Sequence, residues 1–378
     1  MNNISQGLMD AGHKVRILTI YTHKHDFMPE IMSEEYLNAT NIEGVYVDTK
    51  LNVVDAYSSI LTSDSYNVSR FFSTDFDIKL TRILKNETFD VIHLESLFMT
   101  PYIGTIRRFT NASIVLRAHN LEFVIWEKIA KGSGNILKKL YLTYLSKKLK
   151  KYELKIMNEV AGVASISDED KKRFQSLGVH TPIINIPFGI DYHNYQIQET
   201  GEPELALFHL GSMDWSPNQE GIAWFLNEIW PKVHANKPSL KLYLAGRNMP
   251  EYFTRGNWPN VYVIGEVEDA KAFMQSKSIM IVPLLSAGGV RVKIIEGLAL
   301  GKAIISTSIG AEGIDCNHDE QMLIADSVGE WVKGINRLLE EPGLLKKLGE
   351  AGKNHTKKFD NSAIITDLVD FYKSLKKK

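Results

Sequence analysis

The stretch PLLSAGGVRVKIIEGLALGKAIIST, residues 283–307, holds the densest set of groups able to grip an anionic ligand. An apolar run ends at Leu284, a loop of small residues follows, helical spacing starts near Val290, and Gly301 stops it before the next apolar run. Amides at such a helix start lack intrahelical partners and lie at the positive end of the helix dipole, so they suit phosphate oxygens. Gly288 and Gly289 permit close backbone approach, and Arg291 and Lys293 add cationic charge beside the same spot. Glu296 follows about one turn later, where two carboxylate oxygens suit a ribose 2′,3′-diol. Taken singly, these residues have plainer readings as solvated helix charges or turn glycines; the combination points to a nucleoside diphosphate.

Other segments add chemistry of the same kind. HLGSMDWSPNQEGIAWFL (209–226) runs a strand into a turn at Gly211, Ser212 and Asp214 and then into a helix opened by Pro217, with Trp215 and Asn218 suited to packing and capping. RAHNLEFVIWEK (117–128) delivers His119 at the carboxyl end of a strand, where ligands of open α/β sheets gather, and Asn120 and Glu122 suit the cap of the next helix. His93 and Glu95 stand at another strand end, with a weaker case. VIGEVED ends a strand at Gly265 and leaves backbone at Glu266 and Val267 for a base edge, and STSIGAEGI presents Thr307, Gly310 and Glu312.

The elements that must hold these groups alternate between short Val- and Ile-rich runs and longer amphipathic stretches, the rhythm of βαβ units around parallel sheets. The first half offers VRILTI (15–20), VYVDT (45–49), DVIHLE (90–95), SIVLRA (113–118), AGVASI (161–166) and PIINIP (182–187). The second offers ALFHLG (206–211), LKLYLAG (240–246), VYVIGE (261–266), SIMIVPL (278–284), AIISTS (303–308) and MLIA (322–325). At 378 residues the chain suits two domains, and the Pro/Gly-broken, polar segment 187–204 is the hinge between them. A final helix with Ile364, Leu368 and Phe371 on one face is expected to cross back to the first domain. The first residues read as a helix capped at Gly12, whereas a doubly wound domain normally opens on its central strand. A product with about 15 to 25 more residues in front, roughly a strand and a turn, is therefore expected.

Bulk composition narrows the function classes. A net charge of -1 gives no global field that would gather nucleic acid, and the single Cys316 forms no internal disulfide and fits a reducing compartment. No apolar run reaches the roughly 20 residues that cross a bilayer, and the start lacks a signal peptide's apolar core, so a cytoplasmic protein is expected. Helix 135–157 mixes Leu and Tyr with seven lysines: either a solvated lysine face or a contact with anionic lipid.

GGVRVKIIEG and RAHN resemble the donor and sugar sites of the retaining family-four glycosyltransferases, and the resemblance extends over most of the chain. It implies the GT-B fold, an α/β architecture of two Rossmann-like doubly wound domains facing across a cleft. Residues 1–190, with helix 360–378, would form the acceptor side and 204–359 the nucleotide-sugar side. Glu296 matches the family's ribose-binding glutamate, His119 its histidine directed at the donor sugar, Gly211 and Ser212 its phosphate-facing turn, and Gly265 and Val267 its base-contacting edge. The family commonly has a second glutamate eight positions before Glu296, where this chain has Gly288, and many members carry a basic pair where this chain has Ser212. The loop instead resembles the subgroup reading Gly-Gly/Ser-x-Arg-x-Lys. The diphosphate is accordingly assigned to the amides of Gly288, Gly289 and Val290 and to Arg291 and Lys293.

With no His, Cys and carboxylate set at metal-ligand spacing, and no Asp-x-Asp between strands of the kind that holds a metal diphosphate in other transferases, a metal-independent transfer is expected. The donor is a UDP- or GDP-linked sugar acting as substrate, with no separate cofactor, and the acceptor a saccharide or lipid-linked saccharide. Bacterial cell-surface polysaccharide synthesis is the commonest setting of such enzymes. Two rivals remain: a non-catalytic sugar-nucleotide-binding protein and a GT-B sugar-nucleotide epimerase. A nicotinamide dehydrogenase fits poorly, because no Gly-x-Gly-x-x-Gly joins a strand to a helix.

Overall fold

The computed structural model describes residues 2–23, 26–49, 66–195, 201–286 and 290–375. The chain divides into two units, Met1–Pro187 with Ile364–Lys378, and Phe188–Ala363.

In the first unit the strands are β1 (Leu18–Tyr21), β2 (Glu43–Tyr46), β3 (Val91–Glu95), β4 (Ser113–Ala118), β5 (Gly162–Ser165) and β6 (Ile183–Asn185). All pair in parallel, but in two sheets, β1-β2 and β3-β4-β5-β6. Among the described residues, β1 and β3 each pair on one side only. Successive side chains of a strand face opposite ways, and β4 uses that period: Ile114, Leu116 and Ala118 enter one core while Val115 enters the other. The helices that bear on the sites are α1 (Asn2–Asp10), α2 (Glu122–Lys131), α3 (Ile136–Glu159), α4 (Ser216–Trp224), α5 (Val292–Ala299) and α6 (Asn361–Ser374). The second core of this unit is made by α1 and α6: Ile4, Ile364, Ile365, Leu368 and Val369 bury against Val115, Ala164 and Ile186. Each such aliphatic is worth roughly 2 kcal/mol. Gly162 lets α6 lie close, since a Cβ there would meet the Phe371 ring at 2.7 Å.

The second unit is one parallel sheet of β7 (Glu204–Leu210), β8 (Leu242–Ala245), β9 (Val261–Gly265), β10 (Lys277–Val282), β11 (Ala303–Ser306) and β12 (Leu323–Ile324), in the order β12-β11-β10-β7-β8-β9. Numbered from its own first strand this is the order of a dinucleotide-binding domain, 3-2-1-4-5-6 reversed, and its direction switches between β7 and β10. Both faces are covered, which is why these strands read as near-continuous apolar runs. Leu207, Ile279 and Ile281 point to a core with Trp230 and Trp331, whereas Phe208, Met280 and Val282 point to one with Ile294 and Leu298 of α5.

Every apolar run singled out in the sequence contains or overlaps a strand, with ends shifted by up to a few residues. Helix α5 starts at Val292 rather than near Val290, whose side chain packs on the core of the second unit.

Candidate functional site

In an open doubly wound sheet the loops on either side of the switch point separate and leave a crevice at the carboxyl ends. Here those loops follow β7 and β10, and both belong to segments singled out by sequence. Two glycines set the spacing at the first. Gly246, just after β8, has φ +152, and a Cβ there would stand 1.7 Å from the carbonyl oxygen of Gly211. The Gly246 amide donates to Gly265 O at 2.7 Å and the Gly211 amide to Ala245 O at 3.1 Å, so the ends of β7, β8 and β9 stack backbone on backbone. Gly246→Ala is expected to cost about 2–3 kcal/mol of second-unit stability, because backbone cannot yield as a side chain would. A Tm equal to wild type would contradict that packing.

The Gly211 turn is held from α4. Asn218 donates to Ser212 O at 2.8 Å and Gln219 to Met213 O at 2.6 Å, while the Ser212 hydroxyl donates to the Asp214 carboxylate. Beneath it sits His209, absent from the sequence reading. It is fully buried, burial holds its pKa down to about 4, and Nδ1 lies 3.2 Å from Ile281 O. Its Nε2 has no hydrogen-bond partner among the described residues. Helix α4 lies flush on the exit of β10: a Cβ on Gly221 would meet Pro283 O at 2.3 Å. The Ser286 hydroxyl, further along that loop, donates to Glu220 at 2.9 Å.

Gly288 and Gly289 lie outside the described residues. Past them the charges are arranged in pairs. Arg291, 9% exposed, donates through Nη2 to Ile309 O at 3.0 Å and stands 3.8 Å from Glu312, and burial lowers its pKa. Lys293, on the first turn of α5, places Nζ 2.8 Å from Glu296 Oε2, an ion pair without hydrogen-bond geometry. The other oxygen, Oε1, accepts from the Tyr195 hydroxyl at 2.8 Å. Burial, then the nearby carboxylate, pushes the Tyr195 phenol up, so it remains a donor. Tyr195 comes from the segment read as a hinge, and sequence gave no reason to pair it with Glu296. Thr307 is structural: its hydroxyl donates to Leu284 O at 2.6 Å and accepts from the Gly310 amide. Val267 packs against the core beyond Gly265.

Gly211, Ser212 and Gly265 thus lie at strand ends of the second sheet, while Val290 and Arg291 lead into α5 and Lys293 and Glu296 stand on its first turns. His119 belongs to the first unit and has its own charged cluster at the carboxyl ends of β3 and β4. His119 Nε2 lies 2.8 Å from Glu95 Oε2, His93 Nε2 3.5 Å and Arg117 Nη1 3.8 Å from Glu95 Oε1. Burial alone would raise the Glu95 carboxyl, but the two histidines and Arg117 outweigh it and hold it far below the usual range. His93 Nδ1 is 2.5 Å from the hydroxyl of Tyr372 on α6. Arg117 is the legible clue, since a cation inside an apolar strand and 2% exposed demands a carboxylate.

The loop after His119 has a second support. Glu153 of α3, fully buried, accepts from the amides of Glu122 and Phe123 at 3.1 and 3.2 Å, capping the start of α2. Burial raises its pKa to about 8 from the ordinary glutamate value of 4.5. The folded state therefore holds this proton more tightly than the unfolded chain, and stability falls as pH climbs from about 4.5 toward about 8. Glu153→Gln, which has no such proton, is expected to flatten this part of the Tm-against-pH curve, a difference on the order of 3 kcal/mol across the window. Parallel curves for the two proteins would contradict it.

Proteins similar to this chain are known. Residues 1–194 match the model of Glycosyltransferase Family 4, and residues 204–341 that of Glycosyl transferases group 1. An uncharacterized 44.6 kDa protein in the cps region of Klebsiella pneumoniae is 26% identical over 87% of this chain and 83% of its own length. Among solved structures, sucrose-phosphate synthase from Thermosynechococcus elongatus aligns with a TM-score of 0.67 at 14% identity, over 98% of this chain and 91% of that one. Anabaena HepE, solved in complex with UDP, aligns at 0.63 and 12% identity, over 96% and 100%. The first family model takes in more than half of the chain and the structural likeness gives the GT-B fold of two Rossmann-like domains, so the chain belongs to glycosyltransferase family 4.

Proposed function

We propose that this glycosyltransferase moves a hexosyl group from a UDP- or GDP-linked donor to a saccharide or lipid-linked acceptor, with retention, in cell-surface polysaccharide synthesis at the cytoplasmic face of the membrane. The observation that carries the reading is the placing of Glu296, Lys293 and Arg291 after β10 and of the Gly211 turn after the neighbouring β7, at the point where strand order switches. Glu296 would take the ribose diol, and Lys293, Arg291 and the amides before α5 the diphosphate. UDP in the HepE structure and the cps setting of the Klebsiella relative favour the same donor class and pathway.

In the step proposed, the bond from the anomeric carbon to the diphosphate oxygen breaks as the acceptor hydroxyl attacks from the side on which the diphosphate leaves, and the hydroxyl proton passes to the departing diphosphate oxygen. His119 would orient the sugar. Its Nε2 lies 2.8 Å from the Glu95 carboxylate, which fixes the turn of the ring and its tautomer. Peripheral membrane contact through α3 belongs to the same proposal.

Incubation with a panel of UDP- and GDP-sugars, with and without acceptor saccharides, tests the function. Acceptor-dependent product with the donor's anomeric configuration by NMR is expected. A changed sugar from donor alone would identify an epimerase, and binding without turnover a non-catalytic protein.

A further inference from the structure

Helix α3 begins with an apolar surface that its own unit leaves bare. Ile136, Leu137 and Leu140 are 75%, 78% and 64% exposed. Burial on this helix starts at Leu142 and continues through Leu145, Leu149 and Ile156, so the later turns pack and the first two project aliphatic groups into solvent. One exposed leucine is ordinary; three large aliphatics at one helix end are a patch.

The charges supply the second observation. Residues four apart share a helix face, and Ile136, Leu140 and the exposed Tyr144 form one row that Lys147 and Lys151 prolong. From Lys128 to Tyr152 the sequence has eight lysines and no Asp or Glu. The first carboxylate after them, Glu153, points inward to the α2 amides. A solvated lysine face accounts for the charges and leaves the leucines unexplained. An apolar tip backed by an unneutralised cationic row fits a surface that offers hydrocarbon beneath anionic headgroups.

We propose that this face docks on an anionic lipid bilayer, with Ile136, Leu137 and Leu140 entering the acyl boundary and Lys147 and Lys151 on lipid phosphates. No helix among the described residues is long and apolar enough to cross a membrane, so the contact is peripheral. It narrows the contact surface from the whole of α3 to its first turns and one lysine row. The inference stands on α3 alone and is independent of the donor site.

Co-sedimentation of the full chain with vesicles of phosphatidylcholine, alone or mixed with phosphatidylglycerol, tests it. Binding to the mixed vesicles only is expected, weakening as salt rises. Leu137→Ser with Leu140→Ser, and separately Lys147→Glu with Lys151→Glu, are each expected to weaken it about tenfold with unchanged Tm. Equal binding to both vesicles, or variants that bind like wild type, would overturn the proposal. So would self-association without lipid that the leucine pair abolishes, which would assign the face to a second copy of the chain.

Discussion

Glu296→Ala is expected to weaken binding of a UDP- or GDP-sugar about a hundredfold, the loss of two charge-assisted hydrogen bonds to a ribose diol at roughly 1.5 kcal/mol each. The direction discriminates between two roles for this carboxylate. It also holds Lys293 by an ion pair at 2.8 Å, and its removal frees that ammonium for a phosphate. Were pairing with Lys293 its only task, donor binding would tighten in the variant. Glu296→Gln keeps one good acceptor and should lose about tenfold. Tyr195→Phe removes the donor to Oε1 but leaves the carboxylate in place, and a smaller loss is expected. Titration calorimetry with UDP and GDP separates these outcomes.

His119→Ala is expected to lower kcat by about 10²- to 10³-fold while the thermal shift caused by the donor stays as in wild type. The ring sits in the first unit against Glu95, whereas the groups assigned to the nucleotide are all in the second, so binding and transfer should separate. Glu95→Gln is expected to lower kcat less, because an amide still fills the site but no longer fixes which ring nitrogen bears the proton. Glu95→Ala is unsuitable here, since it strips the carboxylate from buried Arg117, a loss of roughly 3 kcal/mol or more in stability. A His119→Ala enzyme with full turnover, or one that loses donor binding in proportion, would remove the histidine from the role proposed.

Much of the fold was legible because local pattern and global structure agree. Strands such as 279–282 are apolar throughout because both faces of the sheet are covered, and the glycines at 211, 246, 265 and 301 mark the places where strands or helices stop. The loop after β10 stands out in the sequence because glycines, two cations and a carboxylate gather at one strand-to-helix junction. What escaped was pairing over long sequence distance. Tyr195 with Glu296, and His93 with Tyr372, meet only after the sheets form, and neither tyrosine is unusual where it stands in the sequence. Glu153 left a fainter trace. It is the first carboxylate after a long lysine-rich stretch, four residues after Leu149 and on the same buried face, which is a poor place for a charge unless it has donors to meet. Arg117 within SIVLRA signalled its carboxylate in the same way.

The account rests on a nucleoside diphosphate held where the loop after β10 runs into α5. Hydrogen–deuterium exchange of the full chain, with and without saturating UDP or GDP, tests that directly. Protection is expected at amides 290–295 and 211–214, and it should be lost in Glu296→Ala at the same nucleotide concentration. Nucleotide binding that protects amides elsewhere while 290–295 exchange unchanged would contradict it.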